Sequence, residues 1–290
     1  MSSIKALLVA PPRRFLKEHP RLHALYQRMR LDRAFRARRM ARFRRECYER
    51  YNSGDTIVTK QYGGLQVRYQ AISPKNYWHL CIGSQHEDKF MGRVFSDCIV
   101  DTGIVLDIGA HTGMYAIPFA KVVGTNGKVY AFEPEPDGFA AIQRNAQLNG
   151  LTNIVPMNMA LSDREGQISF YIRPDKDTHS IFEETSAPSP LGVQHRMDVQ
   201  SATIDGLVGN GTIQAPDFVK IDVEGAELRV LTGMTKTAKS VKHLLVEIHE
   251  HALGLDGVVD PKAAVEMAIT GLGFSRMRYL DRVHLLASRD

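Results

Sequence analysis

Cysteine is scarce in this chain. The 290 residues hold three, Cys47, Cys81 and Cys98. None belongs to a C-x-x-C pair and the number is odd, so neither a disulfide scaffold nor a thiolate zinc site is expected. They read as reduced, partly buried thiols of a cytosolic protein. Long hydrophobic runs are missing too: no apolar stretch reaches the roughly 18 residues that a membrane-spanning helix needs. The one apolar patch near the N-terminus, Ala6 to Ala10, has its charge after it rather than before it, so no signal peptide is expected. No internal repeat is present. Excess positive charge is absent from most of the chain. Residues 1–50 carry thirteen arginines and two lysines against Glu18, Asp32, Glu46 and Glu49, an excess of eleven. The whole chain has a net charge of only +5, so the remaining residues are net negative, at −6.

What is present suits one large α/β domain with an appendage: 43% of residues are hydrophobic, enough for a substantial core. Residues 1–55 form the basic extension. Residues 1–20, with Pro11, Pro12 and Pro20, read as irregular. From Arg21 to Tyr51 there is neither Pro nor Gly, and apolar residues recur at roughly helical spacing among the arginines. Residues 13–50 are candidates for contact with a polyanion: an anionic membrane surface, nucleic acid or an acidic glycan. A solvated helix face is the plainer alternative. Residues 56–100 form an accessory region, a hairpin turning at Gly63-Gly64 followed by a helix over 85–100. From residue 101 onward strand and helix patterns alternate. Strands are expected at 104–107, 128–133, 154–158, 167–172, 217–222 and 243–248. Helices are expected at 113–123, 136–149, 225–231 and 261–270. A long polar loop is expected over 173–200, and a closing hairpin over 274–280 and 282–287. This order predicts a doubly wound, mainly parallel seven-stranded sheet whose closing hairpin adds an antiparallel edge strand.

Val105-Leu-Asp-Ile-Gly-Ala-His-Thr-Gly-Met-Tyr115 is an apolar run that ends in an acid, then a glycine turn, then a helix start. Such a unit brings backbone N–H groups close to a ligand. The glycine spacing is not G-x-G-x-x-G, because His111 and Met114 stand where that pattern needs glycine. It is D-x-G-x-x-x-G, from Asp107 through Gly109 to Gly113. Glu133 ends the next strand, where a carboxylate can accept from both hydroxyls of a ribose. Met159 and Ala160 follow the third strand, where an adenine ring can lie. The ordered set of Asp107, Gly109, Gly113, Glu133 and Ala160 points to a nucleoside-containing cofactor, S-adenosylmethionine (SAM) ahead of NAD.

A second signature is "VKIDVEGAELRVLTG", residues 219–233. It places Asp222, Glu224 and Glu227 at a strand end and helix start, where part of their role can be capping. Together with "VLDIGAHTG", "YAFEPEP", "MALSDREG" and "LLVEIHEH", it resembles the FkbM family of SAM-dependent methyltransferases over residues 85–287. The resemblance implies a class I methyltransferase fold. It also implies O-methylation, typically of a sugar or of a hydroxyl on a natural product or glycan. By the same resemblance Asp107, Gly109, Ala110, Gly113, Glu133 and Ala160 would line the SAM site. Asp222 and Glu224 would lie where donor and acceptor meet. His111 departs from the family motif, which usually has Asn there; both side chains can hydrogen-bond near the methionine end of SAM.

An alcohol is a poor nucleophile at neutral pH, so methyl transfer to oxygen calls for a base or a metal. The strand ending in Glu247-Ile-His-Glu-His251 supplies candidates beside Asp222. Either His249 or Asp222 is a general base, or Asp222, Glu247 and His249 hold a divalent cation such as Mg²⁺; a loop histidine without a chemical role is the plain alternative for His249. Two other functions remain open at this level. RNA methylation is suggested by the basic arm, but no Asn-Pro-Pro-Tyr-type motif follows the fourth strand. A non-catalytic SAM-fold binding protein is opposed by the intact acidic set. The expected location is the cytoplasm, at the membrane surface if the arm binds lipid.

Overall fold

The computed structural model describes residues 20–82, 84–98, 103–172, 179–180 and 195–289. The chain divides into two compact units, Met1–Asp55 and Thr56–Asp290. Among the described residues the first holds the helix α1 (Pro20–Asn52), over the segment that lacks helix breakers. Its arginines reach along the helix surface: Arg42 donates to Glu46 at 2.8 Å and Arg44 to Tyr48 at 2.9 Å, each one turn on. Residues 13–19 of the basic arm lie outside the described residues.

The second unit opens with the hairpin β1 (Ile57–Tyr62) and β2 (Leu65–Gln70), which turns at Gly63 and Gly64, both with positive φ. Helix α2 (Pro74–Cys81) follows, an element that periodicity does not reveal. Its start is written in Ser73-Pro74: the Ser73 side chain accepts from the Asn76 N–H at 3.0 Å, and Pro74 sits in the first turn, where no N–H is needed. Helix α3 (Ser84–Cys98) leads to the alternating portion. There β3 (Ile104–Ile108), α4 (Ala116–Val123), β4 (Lys128–Phe132), α5 (Pro136–Leu148) and β5 (Ile154–Met157) succeed one another. Next come β6 (Ala160–Leu161), β7 (Gly166–Ile172), β8 (His179–Ser180), β9 (His195–Ala202) and α6 (Ile204–Gly209). Then β10 (Phe218–Ile221), α7 (Glu227–Thr232), β11 (His243–Glu247), α8 (Glu250–Leu255) and α9 (Pro261–Gly271) complete the alternation. The closing hairpin is β12 (Arg276–Tyr279) and β13 (His284–Ser288).

Seven strands form one sheet in the order β12-β13-β11-β10-β3-β4-β5. The pairings from β11 across to β5 are parallel and those of β13 antiparallel. This is the doubly wound α/β architecture expected from the sequence. The central strands are covered on both faces, which is why they are apolar without alternation: Val105, Leu106, Ile108, Val219 and Ile221 are all at most 1% exposed. The antiparallel strand is the last in the chain but does not form the edge. β13 inserts between β11 and β12, so that its apolar Leu285, Leu286 and Ala287 are buried while the more polar β12 takes the edge.

The polar loop expected over 173–200 is corrected at its far end. Residues 195–202 are β9, paired antiparallel along the whole of β7, and β6, β9, β7 and β8 make a second sheet. Residues 173–178 and 181–194 of that loop lie outside the described residues. Two helices begin later than expected. His111 (φ +49) and Gly113 (φ +82) are left-handed, so the helix after β3 starts at Ala116 rather than Gly113. Glu224 (φ +51) and Gly225 (φ +110) likewise delay the helix after β10 to Glu227.

Two asparagines fasten the hairpin to this frame. Asn145 on α5 accepts from the Gln70 N–H at 2.7 Å and donates to the Thr112 carbonyl at 2.8 Å. Asn149 accepts from the Arg68 N–H at 3.0 Å and returns a bond to the Arg68 carbonyl at 2.7 Å.

Candidate active site

The carboxyl ends of β3, β4 and β10 open into one cleft. In an open α/β sheet that is where a ligand binds, at the switch in strand order. Of the residues singled out by sequence, Gly109, Ala110, His111, Glu133, Met159, Ala160, Asp222 and Glu224 line it. The turn after β3 is held by Gly109 and Ala110, whose N–H groups both donate to the Phe132 carbonyl at 3.0 Å. Gly113 is not part of the cleft wall. Its N–H donates to the Ala110 carbonyl at 2.7 Å and closes the turn from behind.

Glu133 is 4% exposed. Its Oε2 accepts from the His111 N–H at 2.7 Å and its Oε1 from the Glu135 N–H at 2.9 Å. Burial nevertheless pushes its pKa up to about 7, against those two bonds. A carboxylate in the cleft wall offers acceptor lone pairs to hydroxyl donors. Met159, Ala160, Leu161 and Phe170 give the adjoining wall an apolar surface suited to a flat ring.

Asp107 differs from its expected place. It is fully buried and does not line the cleft. Its partner is Lys220, a residue that the motifs alone do not single out. The two stand at the same register on β3 and β10, with Nζ 3.2 Å from Asp107 Oδ1 and 3.0 Å from Asp222 Oδ2. The ammonium also lies 4.3 Å from the centroid of the Tyr115 ring. Burial works against its charge, but the two carboxylates outweigh burial and raise its pKa. Asp222 is lowered in turn: burial opposes this, and Lys220 and His249 override it. The signal for Lys220 was in the sequence: a lysine inside Phe218-Val-Lys-Ile221 is costly unless it is paired.

A second group of charges stands beside the cleft. His249 follows β11, and its Nδ1 donates to Glu227 Oε1 at 2.6 Å. Glu227 is fully buried and also accepts from the Gly225 N–H at 3.1 Å, so it does more than cap α7. The His249 Nε2 faces Glu224 Oε1 at 3.4 Å, Asp222 Oδ1 at 3.7 Å and Glu247 Oε1 at 3.8 Å. Burial opposes a charge on the imidazole, yet the Glu227 hydrogen bond and the surrounding carboxylates raise its pKa to about 10. A raised pKa favours the protonated imidazole at neutral pH, so a general-base role for His249 requires that proton to be lost first. Burial raises Glu224 to about 7, against the attraction of His249.

Asp222, Glu224 and His249 each offer a ligand atom within 4.8 Å of the others. Glu247, expected from sequence beside Asp222 and His249, is outside this group; its Oε2 lies 3.1 Å from His284 Nε2, and His284 is itself held by Asp281 at 2.7 Å.

Similarity to known proteins identifies the family. The Methyltransferase FkbM domain model matches residues 107–275, more than half of the chain. The chain belongs to the FkbM methyltransferase family. As a member of that family it is a SAM-dependent methyltransferase, and the cleft at the carboxyl ends of β3, β4 and β10 is its candidate cofactor site. This FkbM methyltransferase is 30% identical over 206 residues to the hexuronic acid methyltransferase AglP of Haloferax volcanii, covering 70% of this chain and 76% of that one. It is 24% identical to the 2-O-methyltransferase NoeI of Sinorhizobium fredii, over 57% of this chain and 72% of the relative. With the 31-O-demethyl-FK506 methyltransferase FkbM of Streptomyces tacrolimicus it shares 26% identity, over 70% and 90% of the two chains. Among solved structures, methyltransferase FkbM from Methylobacillus flagellatus aligns at 14% identity and a TM-score of 0.42, covering 74% of this chain and 54% of that one.

Proposed function

We propose that this methyltransferase transfers the methyl group of SAM to a hydroxyl of a sugar, a glycan or a glycosylated natural product. One observation carries this reading. Asp222 and Glu224 line the same cleft as the turn Gly109-Ala110-His111 and Glu133. The two acids have different surroundings. Asp222 is paired with Lys220 and held ionised, whereas burial keeps Glu224 at about 7. One carboxylate can therefore hold a hydroxyl while the other takes its proton near neutral pH.

The reaction these groups serve is an in-line displacement. The acceptor oxygen forms the new O–C bond as the C–S bond of the sulfonium breaks. The bonding electron pair stays on sulfur, giving S-adenosylhomocysteine, and the hydroxyl proton passes to a carboxylate of the acidic corner. Orientation supplies much of the rate in such a step. The names of the relatives support the acceptor class: one is a hexuronic acid methyltransferase, and another is a 2-O-methyltransferase.

The test is methyl incorporation. The full chain is incubated with isotopically labelled SAM and pools of sugars, glycans and glycosides, with an RNA pool alongside, and the products are read by mass spectrometry. Label on a carbohydrate hydroxyl is the expected result. Label confined to RNA, or to nitrogen or carbon, overturns the reading.

A further inference from the structure

We propose that Asp222, Glu224 and Nε2 of His249 form a divalent-cation site at the edge of the cofactor cleft, with Glu227 holding the imidazole in place. The inference rests on the methyltransferase reading above; with the ion bound, Asp222 and Glu224 act on the acceptor as metal ligands, and the hydroxyl, its pKa lowered by the ion, gives its proton to solvent.

The first support is the mixture of ligands. The three come from two segments, the turn after β10 and the turn after β11, and an imidazole stands among the carboxylates. Two carboxylates and one imidazole suit Mn²⁺ and related first-row ions. The second is spacing. Ligand atoms each about 2.1 Å from one ion, at angles between tetrahedral and octahedral, are about 3.0–3.4 Å apart. His249 Nε2 lies 3.4 Å from Glu224 Oε1 and 3.7 Å from Asp222 Oδ1, and all three ligand atoms fall within 4.8 Å of one another, so the group must draw together to close on one ion.

The third support is the group behind the imidazole. Metal-binding histidines commonly donate their other N–H to a carboxylate, which fixes the ring and its tautomer. Glu227 does this at 2.6 Å from a fully buried position. Nδ1 is thereby occupied and Nε2 is turned toward Asp222 and Glu224. An ion entering there displaces the Nε2 proton to solvent, as metal binding does at ligands that must be deprotonated. Asp222 and Glu224 both line the cleft, so the remaining positions of the ion open toward the acceptor. There a cation stabilises developing negative charge on an acceptor oxygen.

The test uses Mn²⁺ as the probe, with electron paramagnetic resonance of the free ion titrated into the full chain after chelator treatment. One ion bound per chain is the expected result. Glu224→Gln, which keeps the shape of the side chain, should weaken binding at least tenfold. His249→Ala should do the same, and Glu227→Gln should weaken it by about 10- to 100-fold. Circular dichroism and thermal melting establish that each variant is folded. Absence of stoichiometric binding by the unsubstituted chain overturns the proposal, as does unchanged affinity in folded Glu224→Gln. Calorimetry with S-adenosylhomocysteine separates the two readings. If that ligand binds and methyl transfer proceeds unchanged in EDTA, the metal fails and the methyltransferase stands. If it does not bind, the function proposed above falls.

Discussion

Gly109 and Asp222 meet so closely that a Cβ on Gly109 would stand 1.7 Å from the Asp222 carbonyl oxygen. The contact joins the cofactor turn to the acidic corner. Gly211 provides a control, because it has the same φ of +77° but nothing within 4 Å of its Cβ position. Gly211→Ala is expected to cost about 1–2 kcal/mol, the left-handed backbone penalty alone. Gly109→Ala should cost about 1–3 kcal/mol more, because two backbone segments must part. Urea denaturation of the two variants measures the difference, and equal costs would show that the close approach contributes nothing.

Lys220 is the cation shared by Asp107 and Asp222. Lys220→Met leaves the buried Asp107 without its counter-charge, and removing one partner of a buried pair costs about 3–5 kcal/mol. Adding Asp107→Leu should recover part of that loss, since the orphaned charge is gone. A double-mutant cycle in urea reads the coupling. Additive losses would mean that the two side chains do not act as a pair.

The parallel core was legible because strands covered on both faces are written as short apolar runs, such as Val105-Leu106 and Phe218-Val219. The second sheet was not. In β9 the sequence His195-Arg-Met-Asp-Val-Gln-Ser-Ala202 reads as polar loop, and its partner β7 lies well back in the chain, beyond a long polar stretch. The acidic residues were legible by type and position relative to strand ends. Their partners were not: the Lys220–Asp107 pair depends on strand register, and the Glu227–His249 bond joins segments that sequence spacing does not relate. Helix starts were misplaced where His111 and Glu224, neither of them glycine, adopt positive φ.

Glu133 should make cofactor binding depend on pH. Its pKa of about 7 lies above the ordinary 4.5, so the folded chain keeps a proton that the unfolded chain has lost between those values. Its contribution to stability therefore falls as pH rises from 4.5 to 7 and is level above. Ribose hydroxyls donate to the ionised form. The affinity for S-adenosylhomocysteine should be flat above pH 7 and weaken toward about tenfold per unit below it. Glu133→Gln should flatten this profile and cost about 1.5–3 kcal/mol of binding. Calorimetry across the range checks both, and a pH-independent affinity in the unsubstituted chain would count against the role of Glu133.

Asn145 links three parts of the second unit from a fully buried position. Its carbonyl oxygen accepts from the Gln70 N–H of β2, and its amide donates to the Thr112 carbonyl in the turn after β3. Asn145→Ala strips a partner from both backbone groups. Each group left buried and unsatisfied costs about 1–3 kcal/mol. Asn145→Asp keeps the acceptor for Gln70 but loses the donor to Thr112, and it sets a negative charge against that carbonyl. Both variants should lower the melting temperature, and hydrogen exchange should quicken at β2 and at the turn together. Faster exchange at the hairpin alone would mean that Asn145 anchors β2 without bracing the cofactor turn.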